Sequence, residues 1–436
     1  MAPALASTTP LCPFDLAARV GCRGGAAHTC AVSGRLGWRS LKRPCSTEPS
    51  SDAFRNLTAI SPATPHRCDT VQICTMGILA WKSGDPAGLD WTDTIVSKSS
   101  SKLPSPVEVG VDLFFGGWRT FVVASAVELD VFTAISSGAA TVVQIASAAN
   151  AHEPAMRRLL DALVALKYLT HKGERYALTS QSATFLVRGV ELYMEGIDRF
   201  ATFQMMGWTQ LTETIRTGKP GKPSVPTGDD VAAAEFFATL VKCMFPLSFV
   251  GGKAAVASLS AAARARIRNI LDVAAGSGAW SIPFAQANHR AQVTVVDFPQ
   301  VTPVTREYTA RFKVSERYRY LEGNLREVDF GTGYDLVILG HVIHGEGREA
   351  GRHLVERSAA ALNDRGMLLI AEMIPNDERT GPPYPMLFGI NMLLHTAEGD
   401  VFTMKEYREW LKAAAFKGVQ TIRTPMVLSP LILARK

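Results

Sequence analysis

The sequence predicts an α/β fold over residues 261–436, a mostly parallel sheet finished by an antiparallel hairpin, with a mainly helical module in front of it. Three observations predict it. From Arg268 onward short apolar runs alternate with amphipathic stretches, the rhythm of strand–helix–strand units. The first run, in NILDVAAGSGAWS (Asn269–Ser281), breaks into a glycine turn, the way a buried parallel strand ends before a helix. The last two runs, about 419–424 and 430–435, follow one another with no helix between them and so pair as a hairpin.

In order, strands are predicted at 269–274, 292–297, 318–323, 334–340 and 366–372, with helices at about 279–288, 300–313, 348–362 and 404–415. The second strand ends in Asp297, 19 residues beyond Gly278, a spacing that offers a carboxylate to a ribose. The turn reads A-A-G-S-G-A. It lacks the third glycine of a dinucleotide fingerprint and the Lys of a phosphate loop. What remains is an acid near the strand end, Asp272, which suits a ligand carrying a positive amino group.

Ahead of the sheet, residues 104–190 predict a helix–turn–helix followed by a hairpin, a winged-helix arrangement. An apolar helical stretch spans Phe114–Ile135, a short helix TVVQIASAAN, and a second helix Glu153–Leu169. Two short strands surround His171–Glu174. The module holds seven Lys/Arg and seven Asp/Glu, and only Arg157, Arg158 and Lys167 serve phosphates on its second helix. Phosphate contacts dominate DNA affinity, so a structural or dimerising role is expected rather than nucleic-acid binding. Residues 191–260 read as a helical linker and pocket region, helices at Leu192–Thr217 and Ala232–Leu259 separated by a Pro/Gly break. Their Met and aromatic stripes serve either as core or as the wall of a pocket between domains.

Residues 1–103 show no sustained period and contribute +4 of the +6 net charge. Six of the seven cysteines lie in the first 74 residues, without CxxC pairs, and are expected to be scattered thiols. The first 47 residues carry six basic side chains against one acid. This extension reads as an organelle transit peptide, a disordered tail, or an extension from a misplaced start with Met76 as the true one. No run approaches the roughly 18 apolar residues of a membrane span, so a cytoplasmic protein without membrane partner is expected, or an organellar one if residues 1–75 are a transit peptide.

The segments ILDVAAGSG, VTVVDFPQV, YLEGNL, YDLVILGHVIHGE and MLLIAEMIP, in this order and spacing, resemble the motifs of S-adenosylmethionine-dependent O-methyltransferases. The chain is most similar to the winged-helix group that includes caffeate and hydroxyindole O-methyltransferases and many bacterial small-molecule enzymes. The resemblance covers about residues 106–436. It implies a class I methyltransferase, Rossmann-like sheet, S-adenosyl-L-methionine as cofactor, a small aromatic or polyketide-like acceptor methylated on a hydroxyl, and a homodimer formed through the winged-helix dimerisation domain. By position it implies that Asp272, Ala274, Gly276 and Gly278 line the methionine part of the cofactor. Asp297 would hold the ribose, with Phe298, Asn324 and Leu325 about the adenine. Asn324 stands where the family usually has Asp. Gly340 stands where plant members have Lys.

The same resemblance implies a catalytic base at His344, oriented by Glu372. The family's His-Asp-Trp is here His344-Gly345-Glu346, and a second family Glu is replaced by Val401. Imidazole, with a pKa near ~6.5, is suited to taking a hydroxyl proton at neutral pH. The residues alone leave His341 and His344 open as a base, as structural residues, or as metal ligands with Glu346 or Glu372. For the acceptor wall the family's apolar helix suggests Met386, Phe388, Asn391, Met392 and His395, faced by Phe203, Met206 and Trp208. Two alternatives stay open: the same fold methylating N or C or catalytically divergent, and a winged-helix regulator that senses a small ligand.

Overall fold

A computed structural model describes residues 106–221 and 231–436. The expectations for residues 1–103, and for most of the Pro/Gly break, lie outside the described residues.

The N-terminal module begins with α1 (Pro106–Phe115), α2 (Trp118–Glu128) and α3 (Val131–Ser136), where the sequence predicts one apolar helical stretch. The stretch is broken where Asp130 takes a left-handed conformation, φ 52°. α4 (Val142–Ala148) starts on a capping box between Thr141 and Gln144, and α5 (Glu153–Ala165) has Pro154 in its first turn. β1 (Leu169–Lys172) and β2 (Arg175–Leu178) form the predicted wing. The module closes around its own core of Val127, Phe132, Ile145, Met156, Leu160 and Leu163. Arg157 is bound to Asp161 at 2.8 Å, so one of the helix's three basic groups is already engaged.

After α6 (Ser180–Phe185), the predicted helix 192–217 divides into α7 (Ile197–Trp208), entered through a left-handed Gly196, and α8 (Leu211–Thr217). α9 (Val231–Ala257) runs 27 residues. Its stretch Glu235–Ala257 is long and apolar enough to cross a membrane, which corrects the expectation that no run approaches a span. That stretch also contains Lys242, in ion pairs with Glu195 and Glu307, and the interior Pro246. Its apolarity serves packing, because Phe245 and Phe249 are fully buried in the main core.

After α10 (Ala261–Arg266), the sheet holds β3 (Asn269–Val273), β4 (Gln292–Asp297), β5 (Tyr318–Glu322), β6 (Tyr334–Gly340), β7 (Leu362–Ala371), β8 (Gly418–Ile422) and β9 (Leu431–Arg435) in spatial order β5-β4-β3-β6-β7-β9-β8. The first five are parallel, and β9 inserts antiparallel between β7 and β8. β7 begins four residues earlier than predicted, with a register shift against β6 near Tyr334.

Alternation along the strands sends side chains to two cores. Ile270, Leu336, Ile338 and Leu369 face α9, α11 (Ile282–Ala287) and α12 (Thr302–Arg311). Leu271, Val273, Val337, Leu339, Leu368 and Ile370 face α14 (Arg348–Ala361) and α16 (Met404–Ala413), with Phe402, Tyr407 and Trp410. Two short links complete the path: α13 (Ile343–Glu346) follows β6, and α15 (Pro383–His395) crosses back over the strand ends. The helix after the glycine turn is shorter than predicted, because residues 276–281 are spent on turns before α11 starts.

Phe402 is 1% exposed and packs at a tilt against Trp410, ring centroids 4.9 Å apart. Phe402→Ala is expected to cost about 3–5 kcal/mol of stability, read as a lower urea midpoint with unchanged slope; an unchanged midpoint would show that this cluster does not hold α16 to the sheet.

Candidate active site

The strand order reverses between β3 and β6, and the crevice beyond their carboxyl ends is where open α/β sheets bind ligands. Both strands end there in a non-glycine residue with left-handed backbone, Ala274 (φ 53°) and His341 (φ 59°). Each is anchored by its own N–H, Ala274 to the carbonyl of Val296 and His341 to that of Ala371, both at 2.8 Å. Backbone strain of this kind persists where neighbouring structure enforces it, and it clusters at functional sites.

Beside these tips lies a cavity of about 490 Å³. One wall is the glycine turn, Ala274–Ser277, and the strand tip Gly340–His341; the others come from α7, α9 and α15. On α15 the lining positions are Tyr384, Leu387, Phe388, Asn391, Met392 and His395, one helical face. Phe388, Asn391, Met392 and His395, expected at the acceptor wall, are among these lining residues. Met386 lies off that face and does not line the cavity. On α7 the lining residues are Phe200, Phe203, Gln204 and Trp208, whereas Met206 points to solvent, 54% exposed. Both corrections have one cause: helical phase, which a composition stripe does not resolve.

Two buried carboxylates sit behind the turn. Burial raises Asp297 to about 6, although the N–H groups of Gly276 and Phe298 donate to it at 2.7 and 2.8 Å. Burial likewise raises Asp272 to about 7; Ser281 opposes the shift by hydrogen bonding, and Asp297 adds to it. The Oδ2 atom of Asp272 is buried without a hydrogen-bond partner among the described residues. An orphaned carboxylate oxygen with a second carboxylate nearby favours a ligand that brings positive charge and hydroxyl donors. Gly276 and Gly278 have φ of 57° and 72°, and a Cβ at Gly276 would press on Val241. The donor set and the close-approach turn fit S-adenosylmethionine. Phe298 lies beside this turn with its ring 6.3 Å from Phe237. Asn324 spends its side-chain oxygen on the N–H of Arg326, and Leu325 is buried in the α14–α16 core; neither lines the cavity, nor do Asp272, Gly278, Asp297 or Phe298.

Gly340 has a local explanation. A Cβ there would collide with the pyrrole edge of Trp280, whose far edge is received by Gly251 on α9. Trp280 and the left-handed His341, with ring centroids 5.4 Å apart, are wall residues that the sequence reading did not assign. A Trp two residues past the glycine turn, and the His beside the tip, were the available signals. Burial pushes His341 down to about 4, leaving it neutral at physiological pH.

At the other side of the β6 tip, His344 Nδ1 lies 2.6 Å from Glu372 Oε2. The other oxygen of Glu372 accepts from the backbone N–H of Ile343 at 2.7 Å and of His344 at 3.3 Å. Burial would raise Glu372, yet its attraction to His344, the hydrogen bond between them and the Ile343 N–H together hold it below the usual value. An ionised carboxylate only accepts, so the proton between the two groups sits on Nδ1, and Nε2 is the nitrogen directed away from Glu372. Phe388 packs edge-on against this imidazole, centroids 4.9 Å apart. Glu346 pairs instead with Arg326 at 2.7 Å, and Val401 is buried, so no second carboxylate supports the His from that position.

A fold of this order with such a crevice is that of a methyl-transferring α/β enzyme. The O-methyltransferase domain model matches residues 228–417 and the O-methyltransferase dimerisation domain model matches residues 111–188. The chain belongs to the S-adenosylmethionine-dependent O-methyltransferase family with an N-terminal dimerisation domain. It is 29% identical over 315 residues to the 3-hydroxy-5-methyl-1-naphthoate 3-O-methyltransferase of Streptomyces sahachiroi, covering 72% of this chain and 90% of that one. It is 28% identical over 318 residues to the tetracenomycin polyketide synthesis 8-O-methyl transferase of Streptomyces glaucescens, covering 70% and 90%. A solved O-methyltransferase-family chain from Nostoc punctiforme is 30% identical, with TM-score 0.66 over 77% of this chain and 100% of its own. Similar folds have been solved with the cofactor or its demethylated product bound.

The carboxylate shifts carry a sign. In the unliganded chain Asp272 is raised from about 4 to about 7, so it favours folding at low pH and that contribution is lost as pH rises through 7. A bound ammonium favours the ionised form, so S-adenosylhomocysteine binding near pH 6.5 is expected to release protons, and above pH 8.5 to release almost none. Calorimetry in two buffers of different ionisation enthalpy reads this directly. Asp272→Asn should reduce the release to the smaller share that Asp297 contributes, and a buffer-independent heat at pH 6.5 in the unmodified chain would contradict the assignment.

Proposed function

We propose that this enzyme methylates a hydroxyl of a flat aromatic or polyketide-like small molecule, with His344 as general base and Glu372 as its positioning partner. The observation that carries the reading is the 2.6 Å contact of His344 Nδ1 with buried Glu372, on the rim of an apolar cavity whose opposite wall is the glycine turn. Asp272, Ala274, Gly276 and Gly278 would hold the methionine end of the cofactor, and Asp297, with Phe298, its ribose and adenine side. Asn324, Leu325 and Gly340 would contribute backbone and shape rather than charge. Bound there, the cofactor supplies an electrophilic methyl group. His344 Nε2 takes the proton of the acceptor hydroxyl as the oxygen turns nucleophilic, and Glu372 stabilises the imidazolium that results.

The cavity supports an aromatic acceptor because Phe203, Phe236, Trp208, Met244, Phe388 and Met392 surround it with flat and adaptable apolar surface. The naphthoate and tetracenomycin names of two similar enzymes point the same way. We read residues 104–190 as a dimerising module, 191–260 as the helical pocket region and 261–436 as the catalytic domain. The exposed apolar side chains Leu113, Phe114, Trp118 and Phe121 on α1 and α2 support homodimer formation through that module.

His344→Ala is expected to lower turnover by about 10²–10⁴-fold while leaving S-adenosylhomocysteine affinity within a few-fold, measured with labelled cofactor on an acceptor found by screening phenols. Turnover equal to the unmodified enzyme would remove His344 as base. For assembly, Phe114→Asp with Trp118→Asp should shift the chain from dimer to monomer in sedimentation; a monomeric unmodified chain would refute the dimer.

A further inference from the structure

We infer that the indole N–H of Trp280 is a cofactor-binding donor, holding the carboxylate of the methionine end while Asp272 holds the ammonium beside it. The inference rests on the placement of that end at the glycine turn, given above, and adds the residue that fixes its orientation. Trp280 is 4% exposed and lines the cavity, two residues beyond Gly278. Two glycines clear the space it takes. An added Cβ at Gly251 would fall 2.5 Å from the outer edge of its benzo ring, and one at Gly340 would fall 2.5 Å from Nε1. Filling that slot needs an apolar ring and nothing more. Yet Nε1 is buried with no hydrogen-bond partner among the described residues. A buried donor left unpaired costs free energy that an apolar ring would avoid, which points to a partner that arrives with the ligand.

What reaches this N–H is set by the groups around it. Ser281, the next residue, hydrogen-bonds Asp272 through both side chain and backbone. Consecutive residues thus carry the unpaired donor and the anchor of the carboxylate whose Oδ2 is unpaired. The lining residues among those described include no Lys or Arg. His341, its ring centroid 5.4 Å from that of the indole, is kept neutral by burial. A carboxylate entering beside the turn therefore meets no cation and is satisfied only by neutral donors. The two side chains sort the ligand. An ionised Asp only accepts and an indole only donates, so the ammonium goes to Asp272 and the carboxylate to Trp280, and the two cannot exchange. An amino-acid head group presents both charges on one carbon. The bare Gly340 belongs to the same arrangement, because any larger residue would displace the pyrrole edge that carries the N–H.

Three ligands test this by calorimetry at neutral pH: S-adenosylhomocysteine, its decarboxylated analogue, and its deaminated analogue, which keeps the carboxylate. The unmodified enzyme is expected to bind S-adenosylhomocysteine at least about tenfold more tightly than either analogue. Trp280→Phe keeps an apolar ring and removes the N–H. In it the preference over the decarboxylated analogue should fall at least about fivefold, while the preference over the deaminated analogue stays within about twofold. If Trp280→Phe binds none of the three it is misfolded, and Trp280→benzothienylalanine, isosteric with sulfur in place of the N–H, decides by the same ratios. Two results would overturn the inference and leave the methionine end at the turn: equal affinity of the unmodified enzyme for S-adenosylhomocysteine and the decarboxylated analogue alone, or a carboxylate preference unmoved by the deciding variant. Either would assign the N–H to a water in the space of about 30 Å³ that Trp280 shares with Glu372 and Ser429. Loss of both preferences in the deciding variant would mark a packing defect and also overturn it. Equal binding of all three ligands by the unmodified enzyme would remove the methionine end from the turn, and this inference with it.

Discussion

Glu372 is a carboxylate at the tip of β7 with a side chain 1% exposed, and such a group is tolerated only when its oxygens are satisfied. Here they are satisfied by α13: the N–H groups of Ile343 and His344 and the His344 ring all converge on it. Removing the carboxylate would leave two backbone donors and an imidazole without partners. One side chain thus sets the path of the chain after β6, the rotamer of His344 and its tautomer. The short α13 exists because of this anchor, since four residues of Ile-His-Gly-Glu have little helical preference of their own.

The remainder of the site is arranged around that anchor by exclusion of charge. α7, α9 and α15 bring aromatic and Met side chains over the strand ends, and the polar groups they contribute are few and held in place, Asn391 by Trp208 above all. The charged groups are kept on the cofactor side, where Asp272 and Asp297 are buried beneath the glycine turn at raised pKa. A site divided in this way suits a cationic ligand against the sheet and apolar surface against the helices. α9 reconciles the two needs. It is apolar enough to pass as a membrane helix, yet Phe245 and Phe249 fill the sheet core while Phe236, Leu240, Val241 and Met244 face the cavity.

Much of this was legible in the residues. Short apolar runs alternating with amphipathic stretches, together with the glycine turn, located all five parallel strands, and the absence of a helix after residue 415 announced the closing hairpin. His344 and Glu372 were paired through the family resemblance, and the parallel sheet, which collects strand ends at one edge, brings them together. Met206 and Met386 were misplaced because a stripe of apolar residues names a helix but not the azimuth at which it packs. Leu325 and Asn324 were assigned by position, while the loop after β5 turns Leu325 inward and spends the Asn324 oxygen on its own backbone.

What the sequence by itself determined was the order of strands, the class of cofactor cradle and the base candidate, since these follow from local spacing and from chemistry that few residue types supply. Only the tertiary structure decided that Gly340 is small to admit Trp280, that His341 is a neutral wall residue, and that Trp208 donates to Asn391. Each of these depends on a contact between segments far apart in the chain. Residues 208 and 391, or 251, 280 and 340, meet because the helices fold back over the strand ends, and no local pattern records that closure.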